Sequence, residues 1–180
     1  MKEIIADNHR KIRVYDAVFD HAYRQDIYVF VTKSLFQIGW ADGNIIENQK
    51  HQFLHSVYSA QDLEALGFIE KLKHTAVGAE LGGHKLKHAI VNLSTPADVN
   101  FVHSHPEDKV ILYYVNMEWR DGWHGETLFY SEDLKDVVYA SPYTPGRVIV
   151  FDAKIPHTIR PQSHLSAFFR FTFALVYEKC

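Results

Sequence analysis

The chain has 180 residues, 47% of them hydrophobic and 14% aromatic, and a formal net charge of −3. This composition excludes a disordered chain and suits one globular domain over residues 1–180. The small net charge indicates no strong attraction to nucleic acid or to a membrane surface. Cys180 is the only cysteine, which excludes an internal disulfide, and no apolar run approaches the roughly 18 residues of a membrane helix. We therefore expect a cytoplasmic protein without nucleic-acid or membrane partners.

The first 85 residues are predicted to form a mainly helical support. After a short strand at 12–15, Asp16 is expected to cap a helix that continues to about Thr32, with apolar residues at helical spacing. Residues 39–44 form a turn-rich loop, and residues 44–58 are expected to be partly helical. A second helix should begin after Ser59, continue through Val77 and end before the two glycines at 82–83.

Beyond residue 86 the pattern changes to short β-rich runs, with Pro, Gly, Asp and Ser between them. A run of strands after a run of helices predicts an α+β fold, in which the strands close into a jelly-roll and the N-terminal helices pack on one sheet. The predicted strands are 86–93, 101–105, 110–116, 127–130, 136–140, 147–151 and 167–177.

Two histidines stand at alternate positions, His103 and His105, and a third, His157, follows the strand at 147–151. Side chains alternate along a strand, so the first two imidazoles should share a face. With His157 they would cap one metal ion and leave coordination positions open for substrate and oxygen. Arg170 stands in an otherwise apolar strand, where a buried cation needs a partner.

The order of several segments resembles that of the iron(II)- and 2-oxoglutarate-dependent dioxygenases, most closely their prolyl-hydroxylase-like branch. The resemblance covers roughly residues 86–178, and it implies a double-stranded β-helix core over residues 86–180. It also implies Fe(2+), 2-oxoglutarate as cosubstrate, and O2. The segments that carry it are Val110–Asn116, Trp119, Trp123–Tyr130, Pro145–His157 and Arg170–Thr172.

The resemblance implies a role for several residues. His157 would be the distal metal ligand, and Arg170 would bind the distal carboxylate of 2-oxoglutarate through its planar guanidinium. Thr172, on the same strand face as Arg170, and Tyr114 would add hydroxyl hydrogen bonds to that carboxylate. Candidates for the rim of the substrate pocket lie in the loop between two predicted strands; they are Trp119, Trp123 and His124.

The first ligand pair departs from the family pattern, which is His-x-Asp or His-x-Glu. Either His103 and His105 join His157 as three neutral ligands, or His105 and Glu107 form the His-x-Glu pair. The longer loop before the next strand favours His103, whereas charge balance at the metal favours Glu107. The sequence leaves both sets open. No catalytic residue is expected beyond the metal ligands.

The resulting hypothesis is a hydroxylase that acts on a small-molecule or peptidyl substrate and releases succinate and CO2. A second hypothesis is a cupin-like isomerase or dioxygenase that does not use 2-oxoglutarate, because the residues His103 to His105 also resemble the first cupin motif. Lys109 stands where a cupin would supply an acid. A third hypothesis is a barrel that binds a ligand without catalysis.

Overall fold

The computed structural model of the protein describes residues 1–43 and 45–180. The described strands are β1 (Lys2–Ile5), β2 (Lys11–Tyr15), β3 (Gln37–Trp40), β4 (Phe53–Tyr58), β5 (His84–Ser94), β6 (Lys109–Tyr114), β7 (Thr127–Tyr130), β8 (Val137–Ser141), β9 (Val148–Asp152), β10 (His157–Ile159) and β11 (Arg170–Lys179). The α-helices are α1 (His21–Thr32), α2 (Ala60–Ala65) and α3 (Phe68–Lys73), and short 3-10 turns lie at Asp7–His9, Asn48–Lys50 and Gly78–Leu81. Within this described part, no helix is long and apolar enough to cross a membrane.

The strands form two antiparallel sheets. The large sheet has the order β1-β2-β9-β6-β11-β5-β4-β3, and the small sheet has the order β10-β7-β8. The last strand, β11, lies between β5 and β6, so strands that are distant in the chain are neighbours in space. This arrangement confirms the predicted α+β fold with a double-stranded β-helix core.

Apolar residues cover both faces of the large sheet. One face packs against the three helices, for example Phe173 of β11 against Phe68 of α3, with ring centroids 5.1 Å apart. The opposite face packs against the small sheet, where Phe129 of β7 lies 4.9 Å from Phe151 of β9. Burial on both faces explains why β6 is an almost unbroken apolar run in the sequence. The helices therefore pack on one sheet, as predicted.

The first helix begins later than predicted. Asp20 is the N-cap of α1, and its carboxylate accepts the N–H of Tyr23 at 2.8 Å. Asp16, the predicted cap, instead pairs with Arg147 at 2.7 Å, and Ala17 has a positive φ of 54° that interrupts a helix there. The prediction of one continuous helix from Ser59 to Val77 is also wrong. Ser59 does cap α2, but Gly67, with φ of 66°, separates α2 from α3.

Two further predictions differ from the structure. Residues 44–58 are predicted to be partly helical; a 3-10 turn does form at Asn48–Lys50, but Phe53–Tyr58 form β4, which is held between β3 and β5, and Asn44 lies outside the described residues. The first 85 residues thus contribute β1 to β4, which extend the large sheet at both edges. Residues 101–105 are not a strand, because His103 makes only an isolated bridge with His157.

Candidate functional site

Three imidazoles meet at one end of the space between the two sheets. His157 is the first residue of β10, and the backbone of His103 exchanges two hydrogen bonds with it, at 3.0 and 2.9 Å. His105 donates its backbone N–H to Ala153 at 2.8 Å. The ring centroids are 4.5 Å apart for His103 and His157, 5.1 Å for His103 and His105, and 5.2 Å for His105 and His157. One nitrogen of each ring lies within 4.8 Å of the other two, a spacing that one metal ion can bridge.

Backbone carbonyls orient two of these rings. Nδ1 of His103 lies 3.0 Å from the Phe101 carbonyl oxygen, and Nδ1 of His157 lies 2.9 Å from that of Ile155. A carbonyl oxygen can only accept, so each Nδ1 must carry the proton. The lone pair of each ring is therefore on Nε2, which is the arrangement that a metal ligand needs.

Burial keeps the imidazoles of His105 and His157 neutral. Desolvation, and then the neighbouring His103, lowers the pKa of His105 to about 4. The same causes lower the pKa of His157 well below its ordinary value. At neutral pH both rings can thus offer a lone pair without first losing a proton.

Glu107, the alternative acid ligand, is engaged elsewhere. The residue is 8% exposed, and its carboxylate forms an ion pair with Lys87, with Nζ to Oε1 at 2.8 Å. Within residues 1–43 and 45–180, the group able to share one ion is His103, His105 and His157, and Glu107 is not a member of it. Of the two ligand sets that the sequence left open, the structure brings the three histidines together.

Sequence reasoning missed a carboxylate behind this group. Asp42, two residues after the end of β3, is 8% exposed, and its Oδ1 lies 3.4 Å from Nδ1 of His103. Its Oδ2 accepts the backbone N–H of Phe101 at 2.8 Å. Burial raises the pKa of Asp42, an effect that the adjacent His103 opposes. No motif links positions 42 and 103, so the sequence held no signal for this contact.

Arg170 lies at the other end of the same cavity and is 0% exposed. Its Nε donates to the Gly125 carbonyl oxygen at 2.9 Å, and its terminal nitrogens donate to the hydroxyls of Thr172 and, at 3.5 Å, Thr127. Within the described part of the chain no carboxylate forms an ion pair with Arg170, since the nearby Glu126 pairs with Arg160. One N–H on each terminal nitrogen remains for an anion.

Tyr114 lies beneath Arg170. The guanidinium carbon is 5.4 Å from the centre of the Tyr114 ring and 4.7 Å from that of Tyr143, and the two tyrosines stack at 4.4 Å. The Tyr114 hydroxyl donates to Thr127 at 2.7 Å. Thr172 lines the cavity as expected for a carboxylate contact, whereas Tyr114 reaches it through Thr127.

The cavity between the histidines and Arg170 has walls that the sequence did not indicate. Alternate residues of β5 face it, from His88 to Ser94, and Trp40 at the end of β3 closes its outer side. The amide oxygen of Asn92 is buried there without a hydrogen-bond partner. Side chains alternate along β5, so these residues could have been predicted if the face of β5 that lines the cavity had been known.

The predicted rim lies elsewhere. Trp119 and Trp123 pack against each other at 5.4 Å, and the indole N–H of Trp119 donates to the carbonyl oxygen of His124. Trp119 lies against Gly125, which also contacts Arg170, and none of these three side chains lines the cavity. Trp40 and His88 line it instead.

Comparison with known proteins bears on this geometry. No protein-family model and no curated protein sequence matches the chain. Solved structures do match. A prolyl hydroxylase from Trichoplax adhaerens, in complex with a hypoxia inducible factor peptide fragment, is 13% identical, with a TM-score of 0.66 over 93% of this chain and 83% of that one. The chain has the fold of the 2OG-Fe(II) oxygenases.

Two further structures support this statement. A 2OG-Fe(II) oxygenase family oxidoreductase from Burkholderia pseudomallei is 14% identical, with a TM-score of 0.65 over 93% of this chain and 84% of that one. HygX from Streptomyces hygroscopicus, with nickel and 2-oxoglutarate bound, is 9% identical, with a TM-score of 0.66 over 93% of this chain and 82% of that one. The matched structures include a prolyl hydroxylase, and they confirm the predicted oxygenase fold. At these identities the likeness concerns the fold, and function must be argued from the site.

Proposed function

We propose that the protein is an iron(II)- and 2-oxoglutarate-dependent oxygenase that hydroxylates a small-molecule or peptidyl substrate. One observation carries the proposal: three metal-competent imidazoles and a fully buried guanidinium, which has no carboxylate partner among the described residues, line opposite ends of one cavity. A cation buried in this way is costly unless an anion joins it. Dicarboxylates that also chelate a metal match both ends, and 2-oxoglutarate is such a molecule.

The donor set fits a divalent transition metal. His103, His105 and His157 would hold the ion through neutral nitrogens, and imidazole suits iron as well as zinc, copper and nickel. The usual iron set of two histidines and one carboxylate is not reproduced, so the centre would carry one more positive charge. When bound, iron(II) with 2-oxoglutarate and O2 would supply the oxidising equivalents that convert C–H to C–OH, with release of succinate and CO2.

The polar end of the cavity fits the cosubstrate. Arg170 and Thr172 would hold its distal carboxylate, with Tyr114 positioning Thr127 beneath it. The amide oxygen of Asn92, beside its cross-strand neighbour Thr172, has no hydrogen-bond partner among the described residues, and it can accept from an N–H or O–H group of a ligand but not from a carboxylate. HygX, which shares the fold, binds 2-oxoglutarate together with nickel, and this supports the assignment.

The outer wall of the cavity would receive the substrate. Trp40 and His88 line both the inner cavity and a more open neighbouring pocket that also contacts His103 and His105, and this pocket offers a substrate a route to the metal. The Trichoplax protein is in complex with a peptide fragment, which supports a peptidyl substrate as one option. The cytoplasmic setting, expected from the single cysteine, remains part of the proposal.

The test is turnover of 2-oxoglutarate by the purified protein with iron(II) in air. We expect succinate release that requires iron and is abolished in His157→Ala, while His74→Ala, a change at a 77%-exposed histidine side chain, has no effect. Metal binding without any binding or turnover of 2-oxoglutarate would contradict the proposal and favour a cupin-like activity. Failure to bind any divalent metal would favour a ligand-binding barrel.

A further inference from the structure

The carboxylate of Asp42 is held in place from several sides. Its backbone carbonyl accepts the Asn48 amide at 2.9 Å, and its Oδ2 accepts the Phe101 N–H at 2.8 Å. A Cβ added to the next residue, Gly43, would lie 3.6 Å from Cβ of His103, so this loop packs directly on that histidine. The remaining oxygen, Oδ1, is thereby fixed 3.4 Å from Nδ1 of His103.

The proposed ligand set lacks an acid, which makes this position informative. Three neutral imidazoles leave the full charge of a divalent ion in a largely buried site. A carboxylate behind a ligand histidine partly offsets that charge, because it polarises the imidazole through the Nδ1–H and makes Nε2 a better donor.

We propose that Asp42 is a positioning residue of the metal centre, which reinforces the Phe101 carbonyl in keeping the proton of His103 on Nδ1 and supplies negative charge that the three ligands lack. This inference rests on the proposed metal site and assigns a role to a residue outside the ligand set. The Phe101 carbonyl oxygen, 3.0 Å from the same Nδ1, accepts its hydrogen bond but contributes no net charge, whereas Oδ1 of Asp42 acts on Nδ1 through its charge at 3.4 Å.

Asp42→Asn separates this role from a structural one. The asparagine carbonyl oxygen can still accept the Phe101 N–H, so the loop keeps its anchor. Its amide group would face Nδ1 of His103 as a donor and favour the tautomer with the proton on Nε2, which leaves Nε2 without a lone pair for the metal. Asp98→Asn is the matched control, since Asp98 also accepts a backbone N–H at 2.8 Å, from Thr95, but does not line the cavity.

Two measurements test the inference on the full chain. Titration with Co(II) should show about 10- to 100-fold weaker binding in Asp42→Asn and unchanged binding in Asp98→Asn. NMR of the imidazole nitrogens of the metal-free protein, assigned with His103→Gln, should find the His103 proton on Nδ1 in the wild type and a shift toward Nε2 in Asp42→Asn. Because an unfolded histidine also favours the proton on Nε2, this shift counts only if the remaining resonances of Asp42→Asn match those of the wild type and of Asp98→Asn.

Several results would overturn the inference. Binding of Co(II) by Asp42→Asn within about threefold of wild type would remove the affinity argument. A wild-type His103 with its proton on Nε2 would refute the inference even if no Asp42 variant folds. Failure of the wild type to bind Co(II) is a different result, because it refutes the metal site itself.

Discussion

Replacing Arg170 by methionine tests whether this buried cation binds an anion or supports the fold. Two hydrogen bonds from its free terminal N–H groups to a carboxylate would contribute about 1.5–3 kcal/mol each, or about 3–6 kcal/mol together. That energy corresponds to a factor of roughly 10² to 10⁴ in affinity. Isothermal titration of the Co(II)-loaded protein with 2-oxoglutarate should therefore show binding weakened by at least about 100-fold.

Stability should change much less than affinity. The methionine leaves the Gly125 carbonyl oxygen unpaired, which costs about 1–3 kcal/mol. It also removes a fully buried cation, whose desolvation penalty of several kcal/mol is no longer present. We expect the free energy of unfolding in urea to change by no more than about 2 kcal/mol.

The control and the refuting results follow from the same contacts. Arg120→Met removes an equal charge from an exposed side chain outside the cavity, and it should leave 2-oxoglutarate binding unchanged. If Arg170→Met binds 2-oxoglutarate within about threefold of wild type, the assignment of this end of the cavity is wrong. A loss of more than about 5 kcal/mol of stability would show that Arg170 is a structural cation.

Two further predictions concern backbone strain and pH. Gly125→Ala should weaken 2-oxoglutarate binding measured by calorimetry, because φ of Gly125 is 82° and the new Cβ would lie 3.1 Å from Cδ of Arg170. The matched control is Gly67→Ala, where φ is 66° and no atom lies within 4 Å of the new Cβ. This change should lower the free energy of unfolding in urea by about 1–2 kcal/mol but leave 2-oxoglutarate binding intact. Equal binding in the two variants would contradict the packing argument. The hydrogen bond from Arg147 lowers the pKa of Asp16, so their pair stabilises the fold at neutral pH and is lost as pH falls through that lowered pKa. Asp16→Asn should therefore lower the free energy of unfolding in urea by less than about 1 kcal/mol at pH 7, because the Asp16 side chain is 56% exposed. Once the wild-type carboxyl is protonated, the two proteins should be equally stable. A stability difference that grows as pH falls would contradict this assignment.

The sequence predicted the parts of the fold in which local pattern and tertiary role agree. Strands such as 127–130 and the capped start of α2 were predicted because alternation or capping chemistry was visible. The strand β4 was missed because its place between β3 and β5, rather than its own pattern, determines its structure. The apolar spacing of residues 59–77 predicts one continuous helix, but Gly67 separates α2 from α3.

The candidate site shows the same limit. His103 and His105 were expected to share a face of a strand, and they do converge on His157, although the segment is a bridge rather than a strand. Asp42 could not be predicted, because 61 positions separate it from His103 and only the packing of a loop joins them. Trp40 lies on the cavity wall for the same reason.

The most direct test of the whole account is whether 2-oxoglutarate binding depends on the metal. Calorimetric titration of the wild-type protein, with Co(II) bound and after its removal by a chelator, measures this without a known substrate. The account predicts one 2-oxoglutarate per chain with Co(II) present and far weaker binding without it, because the histidines and Arg170 would hold opposite ends of one molecule. Binding that is equally tight without metal, or absent with it, would contradict the account.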